Sequence, residues 1–211
     1  MDINSVLKKY IEDTIFPSYS KNDLGHNLSH IKYVIDRSLK FASTFTDINL
    51  DMVYTIASYH DIGHFIDAKN HERVSADILF NDKNLNKFFN ANEIKIMMEA
   101  IEDHRASLEY EPRSIYGKIV SSADRNTNIN SVLKRTYEYR IKNFKCANLD
   151  EVINESFNHI KEKFGKKGYA IEKMYFEDNE YKKFLLEIEE LINNKEKFIK
   201  KYKQVNNINN G

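Results

Sequence analysis

Six of the seven histidines in this chain lie between residues 26 and 104, and the adjacent pair His60-Asp61 stands in the middle of that run. An aspartate, Asp124, follows in the setting Ala-Asp-Arg. Imidazole nitrogen and carboxylate oxygen are the borderline and hard donors that hold Zn, Fe, Mn and similar ions. Cys146 is the only cysteine, so Cys-rich zinc sites and an intrachain disulfide are excluded, and a reducing compartment is the default. A metal held by this chain must rest on His and carboxylate, and the chemistry such a cluster points to is hydrolysis.

A His-Asp dipeptide is weak evidence by itself, and its setting strengthens it. Met52, Val53, Ile56 and Ala57 are spaced as one helical face leading into His60. Gly63 is expected to end that helix and let the backbone turn away. Neighbouring helix residues point about 100° apart, so both side chains can reach one ion beside the helix end. Two donors do not hold a metal, and the others must come from further along the chain. His30 stands on an earlier helix with the face Ile31, Val34, Ile35, Leu39 and Ala42, for which Ser29 is the expected N-cap. Asp124 follows Ile119, Val120 and Ala123 on a later helix.

The rest of the chain supplies elements of the same kind. Val6, Leu7, Tyr10, Ile11 and Ile15 make a helical face, His71 opens a pattern through Val74, Ile78 and Leu79, and Ile94, Met97, Met98 and Ile101 lead into Asp103-His104. Pro112 argues for a loop between that helix and the next. Val132, Leu133 and Tyr137, then Phe184, Leu185, Ile188, Leu191 and Ile192, continue helical spacing to the end. With two prolines, six glycines and no strand alternation, the predicted fold is all-α. Its organisation is read as a single domain over 1–205, with a motif-bearing core at about 20–130, a helical extension at about 131–205 and a frayed tail at 206–211. Fraying is expected from about Lys200.

The totals narrow the function classes. A formal net charge of zero gives no global attraction to nucleic acid or to an anionic membrane. The first sixteen residues interleave charges with apolar residues, unlike a signal peptide, and no stretch approaches the roughly 20 apolar residues that span a bilayer. The expectation is a cytoplasmic protein with neither nucleic acid nor membrane as a partner. A homodimer contact through the C-terminal helices is an open alternative.

The ordered set His30-Ile31-Lys32-Tyr33-Val34, Tyr59-His60-Asp61-Ile62-Gly63 and Ser122-Ala123-Asp124-Arg125 resembles the HD-domain superfamily of metal-dependent phosphohydrolases. The resemblance covers about residues 20–130 and is specific as a set, though not in any one piece. It implies a helical bundle with a metal held by His30, His60, Asp61 and Asp124. In branches with two metals, histidines in the intervals occupied here by His71 and His104 complete a second site bridged by the aspartate of the pair. The cofactor would be one or two divalent transition ions: Fe, Mn, Zn, Co or Ni.

The implied activity is attack of a metal-bound hydroxide on a phosphomonoester, phosphodiester or pyrophosphate of a nucleotide-like small molecule. Asp61, His64 and Arg105 are the candidate catalytic residues. His64 replaces the lysine that many related motifs carry after Ile-Gly, and could contact phosphate or protonate a leaving oxygen. Arg105 could hold phosphate oxygens bidentately. Lys69 and Arg125 are weaker candidates, His26 is expected in the pocket wall, and His159 is expected in solvent. Two alternatives stand beside this reading: an HD-type di-iron oxygenase, and a non-catalytic nucleotide-binding sensor. The Gly-Tyr-Pro tripeptide of the cyclic-dinucleotide branch is absent.

Overall fold

The computed structural model describes residues 2–23, 25–143, 148–171 and 173–208. Cys146 and the last three residues of the expected tail lie outside them. Ten α-helices form among the described residues, which contain no strand: α1 (Ser5–Thr14), α2 (Leu28–Ala42), α3 (Leu50–Tyr59), α4 (His71–Asn81), α5 (Ala91–Glu102), α6 (Ile115–Ala123), α7 (Ile129–Asn143), α8 (Leu149–Phe164), α9 (Asn179–Asn193) and α10 (Lys195–Val205). The fold is all-α.

Asparagine punctuates this chain. The side chains of Asn4, Asn27, Asn49, Asn90, Asn148 and Asn194 each accept from backbone N–H groups at the start of a helix. A short amide oxygen satisfies the orphan donors of a first turn, which is why Asn is favoured there. The expected cap Ser29 is therefore corrected to Asn27, whose Oδ1 accepts from Ser29 N at 3.0 Å and His30 N at 3.2 Å. That cap sets His30 in the first turn of α2.

The described residues divide into two compact units, Met1–Asp124 with Met174–Phe176, and Arg125–Lys173 with Glu177–Gly211. In the first, α3 is the central element: Met52 through Tyr59 are all buried, and it packs against α2, α4, α5 and α6. Fully burying a side chain such as Ile56 stabilises by roughly 1.5–3 kcal/mol, so α3 is held from every side. The polar pair at its end is carried into the interior with it.

Gly63 does not terminate α3, which ends at Tyr59 with His60 as its cap. Tight turns follow, closed by Ile62 N to Tyr59 O and His64 N to Asp61 O. The glycine is needed for close approach instead. A Cβ at Gly63 would lie 2.8 Å from Ser75 N and from Val74 Cβ, and its own N–H donates to Ser75 Oγ at 2.9 Å. Contact this tight seats the first turn of α4, with His71, against the turn that carries Asp61.

The second unit is a bundle of α7 to α10 with an aromatic interior. Phe198 stacks on Tyr202, Tyr181 on Phe184, and Phe164 meets Phe184 edge-on. The Ser156 hydroxyl hydrogen-bonds Tyr202 at 2.7 Å. Residues 200–205 belong to α10, so the expected fraying from Lys200 is corrected for that stretch. His159 is half-buried rather than solvated, and burial lowers its pKa.

Candidate metal centre

Each candidate donor owes its place to a helix end. His60 caps α3, His71 opens α4, His104 follows the end of α5, Asp124 caps α6 and His30 lies in the first turn of α2. Helix C-termini leave carbonyls unpaired, and two of the imidazoles use them, while a third uses a carbonyl of the loop before α4. Nδ1 of His60 meets Ala57 O at 2.8 Å, that of His71 meets Ala68 O at 3.0 Å, and that of His104 meets Ile101 O at 2.6 Å. A carbonyl only accepts, so Nδ1 carries the hydrogen and Nε2 of the neutral ring carries a lone pair.

Those lone pairs converge on Asp61. Its Oδ2 lies 3.5 Å from His30 Nε2 and 3.3 Å from His60 Nε2; its Oδ1 lies 3.3 Å from His71 Nε2 and 3.6 Å from His104 Nε2. Asp124 Oδ1 is 3.1 Å from His30 Nε2, and Nε2 of His71 and His104 are 3.3 Å apart. Donors bound at 2.0–2.2 Å to one ion stand about 3.0–3.5 Å from each other. The spacing is that of ligands round a cation. Nε2 of His30 and of His60 are buried without a well-formed hydrogen bond among the described residues. Two neutral Nε2 atoms facing each other at 3.3 Å cannot satisfy one another. The arrangement fits a divalent metal, with His30, His60 and Asp124 as one possible ligand group and Asp61, His71 and His104 as another.

The electrostatics agree. Burial drives the His30 imidazole down, but Asp124 and Asp61 outweigh it and push it up to about 9. Burial of His104 is likewise outweighed by Asp61, and its pKa rises. His71 falls to about 4, first through burial and then through His104. Burial opposes ionisation of both carboxylates, yet His60, His104 and His30 hold Asp61 well below the usual range, and His30 holds Asp124 there too. A buried set that keeps its carboxylates ionised favours positive charge at its centre.

The other predicted residues are placed in different ways. His64 and His26 border the cluster: their rings stack at 3.7 Å and 20°, and His64 lies 5.3 Å from the His71 ring. Arg105 donates from Nη1 to Lys69 O at 2.7 Å and to Glu72 at 3.1 Å, beside His71. The Lys69 side chain is exposed. Arg125 is buried, with its Nε donating to Lys173 O at 3.4 Å.

Several neighbours were not read from the sequence. Asp23 Oδ1 pairs with His26 Nδ1 at 2.8 Å, and that contact holds its carboxyl below the usual range. Asn22 Nδ2 donates to both His26 O and Asp61 O, at 2.9 and 3.0 Å. Buried Arg37 donates to Ala123 O at 3.1 Å, directly behind Asp124. Fully buried Asp103 accepts from Arg113 Nε, Nη2 and backbone N, which fastens the loop after α5 beside His104. The only sequence signal for these is adjacency to a histidine or aspartate already singled out, which has little weight.

Residues 27–129 match the family model of the HD domain, so the match includes every residue from His30 to Asp124. No curated protein and no solved structure gives a significant match. No helix among the described residues is long and apolar enough to cross a membrane.

Proposed function

We propose, for a chain that carries an HD domain over residues 27–129, a metal-dependent phosphohydrolase acting on a phosphorylated, nucleotide-like small molecule. One observation carries the reading: the two oxygens of Asp61 face different histidines, Oδ2 toward His30 and His60 and Oδ1 toward His71 and His104. A carboxylate placed this way is suited to bridge two ions. Divalent ions held there would supply Lewis acidity toward a phosphoryl oxygen and toward water.

The chain's own residues would do the rest. His60, His71 and His104 donate Nδ1–H to carbonyls, which fixes their rings with Nε2 turned inward. His64 borders the centre on the side of His71 and meets the substrate there. Arg105 spends Nη1 on Lys69 and Glu72 and offers its other nitrogens to a phosphate oxygen. The nucleotide reading draws on Phe65, next to His64: the residue is 41% exposed, with Lys21 Nζ 5.0 Å from the ring centroid, a surface on which a base can stack. A cytoplasmic location follows from the same reading of the sequence.

The test is elemental analysis of protein purified without chelator, with phosphate release from a panel of phosphoesters and nucleotides. Two ions at this centre and oxygen-independent phosphate release are expected, and Asp61→Ala should lose both the ions of the centre and the release. Full turnover by Asp61→Ala with metal bound would overturn the proposal. Oxygen consumption without phosphate release would move it to the di-iron oxygenase class. Tight nucleotide binding without turnover in any metal would move it to a sensor.

A further inference from the structure

Outside the six-residue cluster, one other group of metal-binding side chains stands in the first unit among the described residues. Asp23, His26 and His64 each offer a donor atom, and these atoms lie within 4.8 Å of one another. Asp23 and His26 precede the stretch matched by the family model, so the family relation does not assign them.

We propose that Asp23, His26 and His64 form a third cation site beside the metal centre, which takes a divalent transition ion through one carboxylate oxygen and two imidazole nitrogens. The donor set is the His/carboxylate type that suits Zn, Co, Ni or Mn. Asp23 Oδ1 and His26 Nδ1 stand 2.8 Å apart in a hydrogen bond, which an ion taking both atoms as ligands would replace. The His26 and His64 rings stack at 3.7 Å, which brings two donors from distant parts of the sequence to one place. Asn22 ties the segment down, since its amide donates to the backbone oxygens of both His26 and Asp61. The loop bearing two of the three donors is thereby anchored to the central aspartate itself.

Position gives the site a use. The His26 ring lies 6.1 Å from that of His30 and 6.2 Å from that of His71, and the His64 ring lies 5.3 Å from His71. Three protein ligands leave coordination positions open, as catalytic rather than structural metal sites do. An ion there faces the phosphate next to the one held at the main centre, so diphosphates and triphosphates are favoured over monoesters. This role toward substrate rests on the phosphohydrolase reading; the existence of the cation site does not. It also gives His64 a different duty from proton donation, as a ligand.

Equilibrium dialysis of the full chain against Co²⁺, read by elemental analysis, tests the site. Wild type is expected to bind one ion in addition to those lost in Asp61→Ala. The double variant Asp23→Asn, His26→Gln should lose that ion and keep the others. Asn and Gln preserve the hydrogen bonding of a mere loop brace but are poor ligands, so a brace would leave the ion count unchanged. Should the double variant fail to fold by circular dichroism, His64→Gln decides, with an expected weakening of the third ion of tenfold or more. Folded variants that bind as many Co²⁺ ions as wild type, with unchanged affinity, overturn the proposal. If instead Asp61→Ala binds as many ions as wild type, the main-centre reading fails, and the third site still stands or falls on the other variants.

Discussion

The two sides of Asp61 use the same donor types in different proportions. On the Oδ2 side, His30 and His60 stand with a second carboxylate, Asp124; on the Oδ1 side, His71 and His104 share one carboxylate oxygen. Ring basicity does not sort simply by side, since Asp61 also raises His104 on the Oδ1 side. His30 is pushed up to about 9, whereas His71 falls to about 4 through burial and the neighbouring His104. A divalent ion is attracted by carboxylate charge, and the Oδ2 side has two carboxylates to the one oxygen of the Oδ1 side, so the Oδ2 side should bind tightly and the Oδ1 side weakly. The lesson is that bridging one carboxylate between two sites does not make them equal; the second carboxylate does the ranking.

The largest effect should come from removing what both sides share. Asp61→Ala is expected to lose the ions of both and to lower phosphoester hydrolysis by about a thousandfold or more, measured as kcat/KM. Retained metal on either side would break the comparison. Next come variants that separate the sides. Asp124→Asn should empty the whole centre at micromolar metal, whereas His104→Ala should leave one ion in it, one fewer than wild type by elemental analysis. Equal losses would show that the sides do not differ.

Backbone seating is the next in size. Gly63→Ala places a Cβ 2.8 Å from Ser75 N, and overpacking of this kind costs about 1–3 kcal/mol. Chemical denaturation should show that loss, with the Oδ1-side ion weakened more than the other because His71 sits on the displaced helix. Unchanged stability would mean that α4 moves away without cost.

Proton linkage gives a prediction for the metal-free protein. His30, raised above its ordinary value of about 6.5, binds a proton more tightly when folded. Its contribution is complete below that ordinary value and is lost as pH rises through about 9. His71, depressed to about 4, contributes above about 6.5 and loses that contribution as pH falls through about 4. The chelated protein should therefore melt at a lower temperature at pH 9.5 than at pH 6.5. Metal loading should abolish this alkaline loss, because an ion replaces the proton on His30. A chelated protein whose melting temperature does not fall between those pH values would refute the charge ranking.

The smallest change concerns Arg105. Arg105→Lys keeps a cation but not the fork, so KM should rise by about tenfold with metal content unaltered. An unchanged KM would restrict Arg105 to its contacts with Glu72 and Lys69.

Much of the helical layout was legible because it rests on local periodicity. The face around Ile31 reappears as the buried stripe of α2, and those around Val53 and Ile119 lie within α3 and α6, where burial extends beyond the expected face. Cap positions were less legible: Ser29 and Asn27 are both good cap types, and only the observed backbone bonds choose between them. Gly63 was singled out for conformational freedom, yet its backbone has no positive φ, and its value lies in the absence of a side chain against α4. Burial of His159 was missed because its own turn of helix reads as polar, and burial is set by packing that the local pattern does not contain.

By itself the sequence determined which donor types are present, that no thiolate cluster competes with them, and that helices carry them to helix ends. Only the tertiary structure decided which donors meet. Asp61 and His104 are 43 residues apart in sequence, and 3.6 Å between their donor atoms is a product of α3, α4 and α5 packing together. The same holds for His26 against His64, and for the oxygen of Asp61 that each imidazole faces. Helical periodicity sets the direction of a side chain from its own turn, whereas a distance of a few ångströms between helices is set by the side chains that fill the space between them.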